Sequence, residues 1–509
     1  MQFPATRREF LKRTFFGASA LAAYPLGRTQ SHSPAAGPGS LIELTATEAV
    51  ALLRSGELSC EKYAASLLEQ CRKQRALNAI IWQDEEMVME AARAADKKRA
   101  AKKLGTLHGL PILVKDNFDT ARAPTTGGTP ALRNHRPRAD APVVASLFSA
   151  GAILLGKANM HEMAFGITSN NAAFGAVHNP YNPALIPGGS SGGTAAAVAA
   201  RMCPAGLGTD TGGSVRTPSA LCGIAGLRPT TGRYPAKGII PLSHTRDTPG
   251  PMARSVADLA LLDSVITGQS APLHPTTLRG LRLGVPRGFF YENMDSTLAP
   301  VIENALTALR VAGCVLVEAE IPDLGKLFSE SLPIAYYEMR VDLSRYLEES
   351  GEKMNIQELV SQIASPDVKA AYEIYVIGPK APTRQEYETA LRVSRPALQA
   401  AYRDYFRAHD VAAIVYPTTL LPARPIGEDD EVELNGKKVS TFAIFTHNDR
   451  PNTTAAIPGL SLPVGLTASG LPVGLEIDAP QGADRDLLRL GMAMEAIFGR
   501  FPPPPGDAV

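Results

Sequence analysis

Residues 187–200 read Pro187-Gly188-Gly189-Ser190-Ser191-Gly192-Gly193-Thr194-Ala195-Ala196-Ala197-Val198-Ala199-Ala200, a glycine- and serine-rich turn running straight into an alanine-rich stretch. A flexible linker shares the first half of this composition, but strong helix formers would not follow a linker at once. Glycines at such a turn let backbone amides come close to a ligand, at the electropositive end of the helix behind them. Downstream, Gly208-Thr209-Asp210-Thr211-Gly212-Gly213-Ser214-Val215-Arg216 sets two glycines immediately before Ser214. Successive N–H groups freed in this way can point at one spot, which an oxyanion hole requires, and Ser214 sits where an attacking oxygen could meet the same carbonyl. Alone, a Gly-Gly-Ser triplet is more often an ordinary turn.

Upstream, His108-Gly109-Leu110-Pro111-Ile112-Leu113-Val114-Lys115-Asp116-Asn117 ends an apolar run on Lys115. Burial lowers a lysine's pKa until it can serve as a neutral base, whereas an isolated lysine at a strand end usually reaches solvent. Around these segments the chain alternates strand and helix signals. Apolar runs at 110–114, 152–155, 281–285, 315–317 and 475–477 predict strands. Helices are predicted after Ser59, over about 84–103, 143–150 and 296–312, and from Asp484 to about Phe498. That rhythm implies an α/β layered fold. Between Leu324 and His409 the sequence is helical in character and rich in Tyr, Glu and Arg, with no strand signal. It reads as an insertion on the α/β core. Tyr336, Tyr337, Tyr372 and Tyr375 there are candidate pocket residues, although tyrosines at helical spacing more often pack.

The 509 residues carry 51 Lys and Arg against 50 Asp and Glu, which gives no global field for nucleic acid or an anionic membrane. Five scattered cysteines without a C-x-x-C pair argue against a zinc site or a dense disulfide framework, and leave the pairing of Cys203 with Cys222 open. At the start, Arg7-Arg8-Glu9-Phe10-Leu11-Lys12 precedes a short, mildly apolar stretch with small-x-small cleavage sites near Ala18–Ala22. This is similar to a twin-arginine signal peptide, too weakly apolar to remain as a membrane anchor. The expected organisation is a signal peptide at 1–26, a linker at 27–40, a folded domain at 41–500 and a proline-rich tail at 501–509. The expected location is periplasmic or extracellular.

Taken together, the segments from Gly188 to Ser214, Pro218-Ser219-Ala220 and Gly223-Ile224-Ala225-Gly226-Leu227-Arg228-Pro229-Thr230 resemble the amidase-signature family. So do the flanks Gly156–Glu162, Phe174–Pro180 and Asp247–Met252. The resemblance covers about residues 41–500. It implies a central mixed β-sheet covered by helices on both faces, and hydrolysis of a carboxamide C–N bond without cofactor or metal. Ser214 is then the nucleophile, Ser190 a proton-bridging serine on a cis peptide and Lys115 the terminal base, with backbone N–H groups of Thr211, Gly212, Gly213 and Ser214 as oxyanion donors. The stretch 452–465 with Gly474-Leu475-Glu476 is similar to the branch containing mandelamide and indoleacetamide hydrolases, which implies a small aryl-alkyl amide as the partner molecule. A peptide amidase, an aryl acylamidase or esterase, and an amidotransferase-like subunit are the alternatives; a homodimer is the oligomer carried forward.

Two rival motifs are weaker. Gly189-Ser190-Ser191-Gly192-Gly193 satisfies the G-x-S-x-G pattern with Ser191 as nucleophile and His447 as a triad candidate. That motif needs a strand directly before it, and Pro180, Pro183 and Pro187 oppose one. A phosphate-binding loop would need a lysine after the last glycine, and none is there.

Overall fold

The strand and helix rhythm of the sequence is realised as one large mixed sheet flanked by helices. The computed structural model describes residues 40–102 and 104–505. The expected signal peptide, all of the linker but Ser40, and the last four residues of the tail lie outside them. In chain order the strands are β1 (Ile80–Trp82), β2 (Pro111–Lys115), β3 (Ile153–Ala158), β4 (Ala205–Asp210), β5 (Ala225–Arg228), β6 (Thr248–Ala253), β7 (Arg282–Gly284), β8 (Val315–Val317), β9 (Ala413–Pro417), β10 (Glu431–Leu434), β11 (Lys437–Ser440), β12 (Gly459–Leu466) and β13 (Pro472–Asp478). Eleven join in the order β1-β3-β2-β4-β6-β5-β12-β13-β9-β7-β8, and β10 pairs with β11 apart from them. Strands β3, β2 and β4 run parallel, as do β9, β7 and β8. The centre from β4 to β9 is antiparallel.

Successive strand residues face opposite ways, and the two faces of the central strands differ in bulk. Leu227, Leu460, Leu462 and Leu475 join the main core together with Leu487 and Leu488 of the helix Asp484–Phe498. Their neighbours Gly226, Ser461 and Gly474 are small. A methyl group on Gly474 would lie 2.5 Å from Ala220 Cβ, and one on Gly226 would overlap Ser219, so the helix Arg216–Cys222 beds almost on the sheet backbone. The helix Gly192–Ala199 is seated the same way. Methyl groups on Gly206 and Gly208 of β4 would come within 2.7 Å of Thr194 and of Ser191, and one on Gly193 would overlap the carbonyl oxygen of Asn159. Every residue of that helix is buried. The Gly/Ser run is therefore a close-packed seam and not a flexible linker.

Residues 324–409 contain helices and no strand, as their composition predicts. They are not a separate lobe: Met339, Leu343, Leu359 and Tyr372 share one apolar cluster with Met160 and Met163 after β3 and with Ile240 and Leu242 before β6. Of the tail, Phe501 meets the Tyr181 ring edge-on at 6.2 Å, and the Tyr181 hydroxyl donates to Pro502 O at 2.7 Å. All five cysteines are buried free thiols, Cys203 and Cys222 included. Among the described residues no helix is long and apolar enough to cross a membrane.

Candidate active site

Parallel strands carry their carboxyl ends to the same edge of a sheet, and ligands of open α/β sheets bind there. Leu113 of β2 pairs with Gly206 of β4, so Lys115 arrives level with Gly208, on the face that glycine leaves open to the helix Gly192–Ala199. Lys115 is wholly excluded from water. Its Nζ donates to Ser190 Oγ and to Thr209 Oγ1, both at 2.8 Å, and Asn117 Nδ2 also donates to Thr209 Oγ1 at 3.1 Å. Among the described residues no carboxylate comes within ion-pair distance of it. Burial pushes the ammonium down to about 7, against the opposing pull of Asp210 and Asp247. The other fully buried lysine is held quite differently. Lys157 forms an ion pair with Asp116 at 3.3 Å and donates to Phe118 O, Thr120 Oγ1, Pro124 O and Thr125 Oγ1 at 2.8–3.1 Å. Lys157 ties strands to loops, whereas Lys115 is left with hydroxyls.

Ser190 follows a cis peptide bond from Gly189, as the resemblance implies. Around it Ser190 O accepts from His161 N at 3.1 Å, Gly188 O accepts from Ser169 Oγ at 2.8 Å, and Ser191 N donates to Ser214 O at 3.2 Å. The last bond brings the two serine loops together. The hydroxyls of Ser190 and Ser214 are not themselves hydrogen-bonded. Ser214 Oγ has no partner among the described residues, and Ser214 keeps 9% of its surface while Ser190 keeps none. The serine that meets the cleft is thus Ser214, and Ser190 lies behind it against Lys115.

The loop before Ser214 departs in one respect from the expected oxyanion set. Gly213 N donates to Asp210 Oδ1 at 3.0 Å, and Val215 N donates to Asp210 Oδ2 at 3.2 Å. Gly213 is consequently turned away, with a φ of 109°, and only Thr211, Gly212 and Ser214 of the four line the cleft. Three amides are open where four were expected. Asp210 can hold this loop because it stays ionised: burial pushes its carboxyl up, but the guanidiniums of Arg216 at 3.0 Å and Arg228 at 3.3 Å outweigh that and keep it well below the usual carboxylate range. Thr211 Oγ1 donates to Asp247 at 2.6 Å and fixes the other end of the loop.

Ser214 opens onto a cleft walled by Phe165, Ile167, Leu242, Tyr336, Met339 and Phe442, with Arg246 and Arg450 among them. The tyrosines of the insertion divide. Tyr336 lines the cleft and stacks on Tyr375 at 5.3 Å, Tyr372 lies buried edge-on to Phe165 at 5.6 Å, and Tyr337 stacks on Tyr387 at 4.3 Å outside the lining. Ser191, the nucleophile of the rival motif, is buried and donates to Thr209 O at 3.3 Å, and His447 stacks on Phe289 at 4.2 Å. Neither faces the cleft, which disposes of that reading. Thr209, Asp210, Arg246 and Arg450 carry no role in the sequence reading. For Thr209 and Asp210 the signal was a polar residue and a charged one set among glycines that must be buried, since such groups persist only with a partner or a purpose; Arg246 and Arg450 stand among polar neighbours and carry no such mark.

An amidase-family model matches residues 63–488. The chain is 47% identical over 453 residues to an indoleacetamide hydrolase of Agrobacterium vitis, covering 88% of this chain and 96% of that protein. It is 38% identical over 490 residues to a mandelamide hydrolase of Pseudomonas putida, covering 93% and 95%. The solved structure of the native peptide amidase from Stenotrophomonas maltophilia superposes with a TM-score of 0.77 at 30% identity, over 91% of this chain and 99% of that one. With matches that span nearly the whole of the described fold, the chain belongs to the amidase family and is an amide-hydrolysing enzyme.

Proposed function

We propose that this enzyme hydrolyses small aryl-alkyl primary amides to a carboxylic acid and ammonia, with Ser214 as nucleophile, Ser190 as proton bridge and Lys115 as base. The observation that carries the reading is the buried contact between Lys115 Nζ and Ser190 Oγ at 2.8 Å, made by a lysine without a carboxylate partner and pushed down to about 7. A neutral amine takes the Ser190 proton while Ser190 takes that of Ser214, and Ser214 Oγ bonds to the amide carbon. The amides of Thr211, Gly212 and Ser214 hold the oxyanion, fixed in advance by Asp210 and Asp247. Lys115 then returns a proton through Ser190 to the nitrogen, the C–N bond breaks and ammonia leaves. Water repeats the relay on the acyl-enzyme and frees the acid.

For the substrate, the aromatic walls from Phe165, Tyr336 and Phe442 suit a flat ring. The similarity to hydrolases named for indoleacetamide and mandelamide points the same way. The test is ammonia release from arylacetamides, aliphatic amides and peptide C-terminal amides, with the intact protein beside Ser214→Ala. Release from arylacetamides alone, lost in the variant, is the expected result. Substantial turnover by Ser214→Ala would sink the mechanism, and release confined to peptide amides would move the substrate class. We further propose export by the twin-arginine route, supported by Arg7-Arg8 and the stretch after it. Changing both arginines to lysine is expected to leave activity in the cytoplasmic fraction; undiminished activity outside would overturn that reading.

A further inference from the structure

The cleft at Ser214 contains a feature that a neutral arylacetamide does not use. Arg246 is 97% buried by its 3% exposure, and its side chain makes no hydrogen bond or ion pair among the described residues; Nε is fully enclosed without a partner. Arg450, which lines the same cleft, has no carboxylate within ion-pair distance either, and its guanidinium lies between the rings of Phe328 at 5.0 Å and Phe442 at 5.5 Å. A guanidinium stays charged in proteins. Two of them in one apolar cleft repel each other, and while Arg450 has the Tyr336 hydroxyl beside it, Arg246 lacks the hydrogen bonds that normally make such burial tolerable. The carboxylates nearby are already committed. Asp247 accepts from Thr211 Oγ1 and from the N–H groups of Leu242 and Ser243. Glu338 accepts from the hydroxyls of Ser243, Thr245 and Tyr387. Arg246 also approaches the oxyanion loop, since a methyl group on Gly212 would lie 3.6 Å from its terminal nitrogen.

We infer that Arg246, with Arg450 behind it, forms an anion subsite next to Ser214, and that the preferred substrates are amides whose acyl part also carries a carboxylate. Donors in a planar fork and a water-poor wall match a carboxylate group, and bidentate pairing would satisfy the nitrogens that protein groups leave open. The aromatic walls continue to hold the ring of such a substrate. The inference rests on the amide-hydrolase reading for the scissile bond, but the subsite can be read without turnover.

The experiment titrates Ser214→Ala protein by calorimetry with phenylacetamide and with two analogues that bear a carboxylate, one on the α-carbon and one at the para position of the ring. At least one carboxylated amide is expected to bind about ten- to a hundredfold more tightly than phenylacetamide. Adding Arg246→Met should collapse that ratio to near one, Arg450→Met should reduce it, and Arg246→Lys should restore part of it. Because Arg246 is unpaired, the Arg246→Met protein should melt no lower than its parent; an arginine kept for structure would cost stability when removed. Equal or weaker binding of both carboxylated amides would overturn the subsite, and so would an Arg246→Met protein that weakens charged and neutral ligands alike. Ammonia release from the same compounds separates this from the reaction itself. Arg246-dependent anion binding with silence in that assay would refute the hydrolytic reading for these amides and leave the subsite standing.

Discussion

Two buried lysines on neighbouring parallel strands, held by different partners, make the residue-scale claim testable in both directions. Lys157 neutralises Asp116 where neither touches water, so Lys157→Met leaves a buried carboxylate alone and should cost about 3–5 kcal/mol in a urea melt. Lys115 faces only hydroxyls, so Lys115→Met should shift stability by no more than about 1.5 kcal/mol. Activity should respond in the opposite order. Losing a general base lowers kcat/KM by about 10²–10⁴-fold, while Lys157→Met protein that still folds should keep most of its turnover per folded molecule. If, as proposed, neutral Lys115 is the base, then with burial pushing its pKa down to about 7, kcat/KM of the intact enzyme should climb through about pH 7 and level off above it. A profile flat from pH 6 to 8.5 would contradict that assignment. The sequence made Lys115, Ser190 and Ser214 readable because a family pattern names them. Without that pattern, a lysine after an apolar run describes Lys115 and Lys157 about equally, and the register with β4 is what lets Lys115 meet Ser190. Nor did it mark Gly213, whose amide is diverted by Asp210, a contact that spacing alone cannot distinguish from an open amide.

The elements that carry these residues are placed by what their side chains lack. The helix Gly192–Ala199 lies so close to β1 and β3 that a methyl group on Gly193 would overlap backbone carbonyls at Asn159 and Ala79, atoms that cannot swing aside. Gly193→Ala should therefore destabilise by about 1–3 kcal/mol or more and lower turnover by shifting Ser190, although alanine is the better helix former. A Gly193→Ala enzyme with unchanged melting and activity would mean that the segment is looser than this packing. The same feature explains which strands were legible. Those at 111–115, 153–158 and 472–478 announce themselves by apolar runs, and the closing helix was bounded correctly by its leucine spacing. β4, with glycine at 206 and 208, and β6, Thr248-Pro249-Gly250-Pro251-Met252-Ala253, have compositions that argue against a strand. They are strands because the sheet needs thin places under helices. β4 pairs along the whole of β6, whereas β5 pairs only with Met252 and Ala253, so toward β5 the prolines at 249 and 251 interrupt no ladder.

At the scale of the whole molecule, one buried cation joins distant parts of the chain. Arg216 donates to Asp210 at the end of β4, to Glu476 of β13 and to the carbonyl oxygen of Asp449, and pairs with the Asp449 carboxylate at 3.1 Å. Asp478 stands close by, bound to Asn452 and Tyr416. These acids outnumber the arginines Arg216 and Arg228, so the cluster holds protons. Burial, only partly offset by Arg216, pushes the carboxyls of Asp449, Asp478 and Glu476 above their ordinary values. A carboxyl whose folded pKa exceeds its unfolded one binds more protons in the folded state over the interval between them. Its contribution to stability is then complete at acid pH and is lost as pH rises through the folded value. Arg216→Met removes the cation that opposes this trend. At pH 5 the acids can take up protons and the loss should be modest; at pH 8 they cannot all do so, and the loss should reach about 3–5 kcal/mol. The measurement is the difference in unfolding free energy between the two proteins at both pH values. A deficit that widens with pH identifies Arg216 as the counter-ion of a shared buried carboxyl group that holds the Ser214 loop to the far side of the sheet. Equal deficits would mean that its packing and hydrogen bonds matter and its charge does not, and the loop would then owe its position to Asp210 and Arg228 alone.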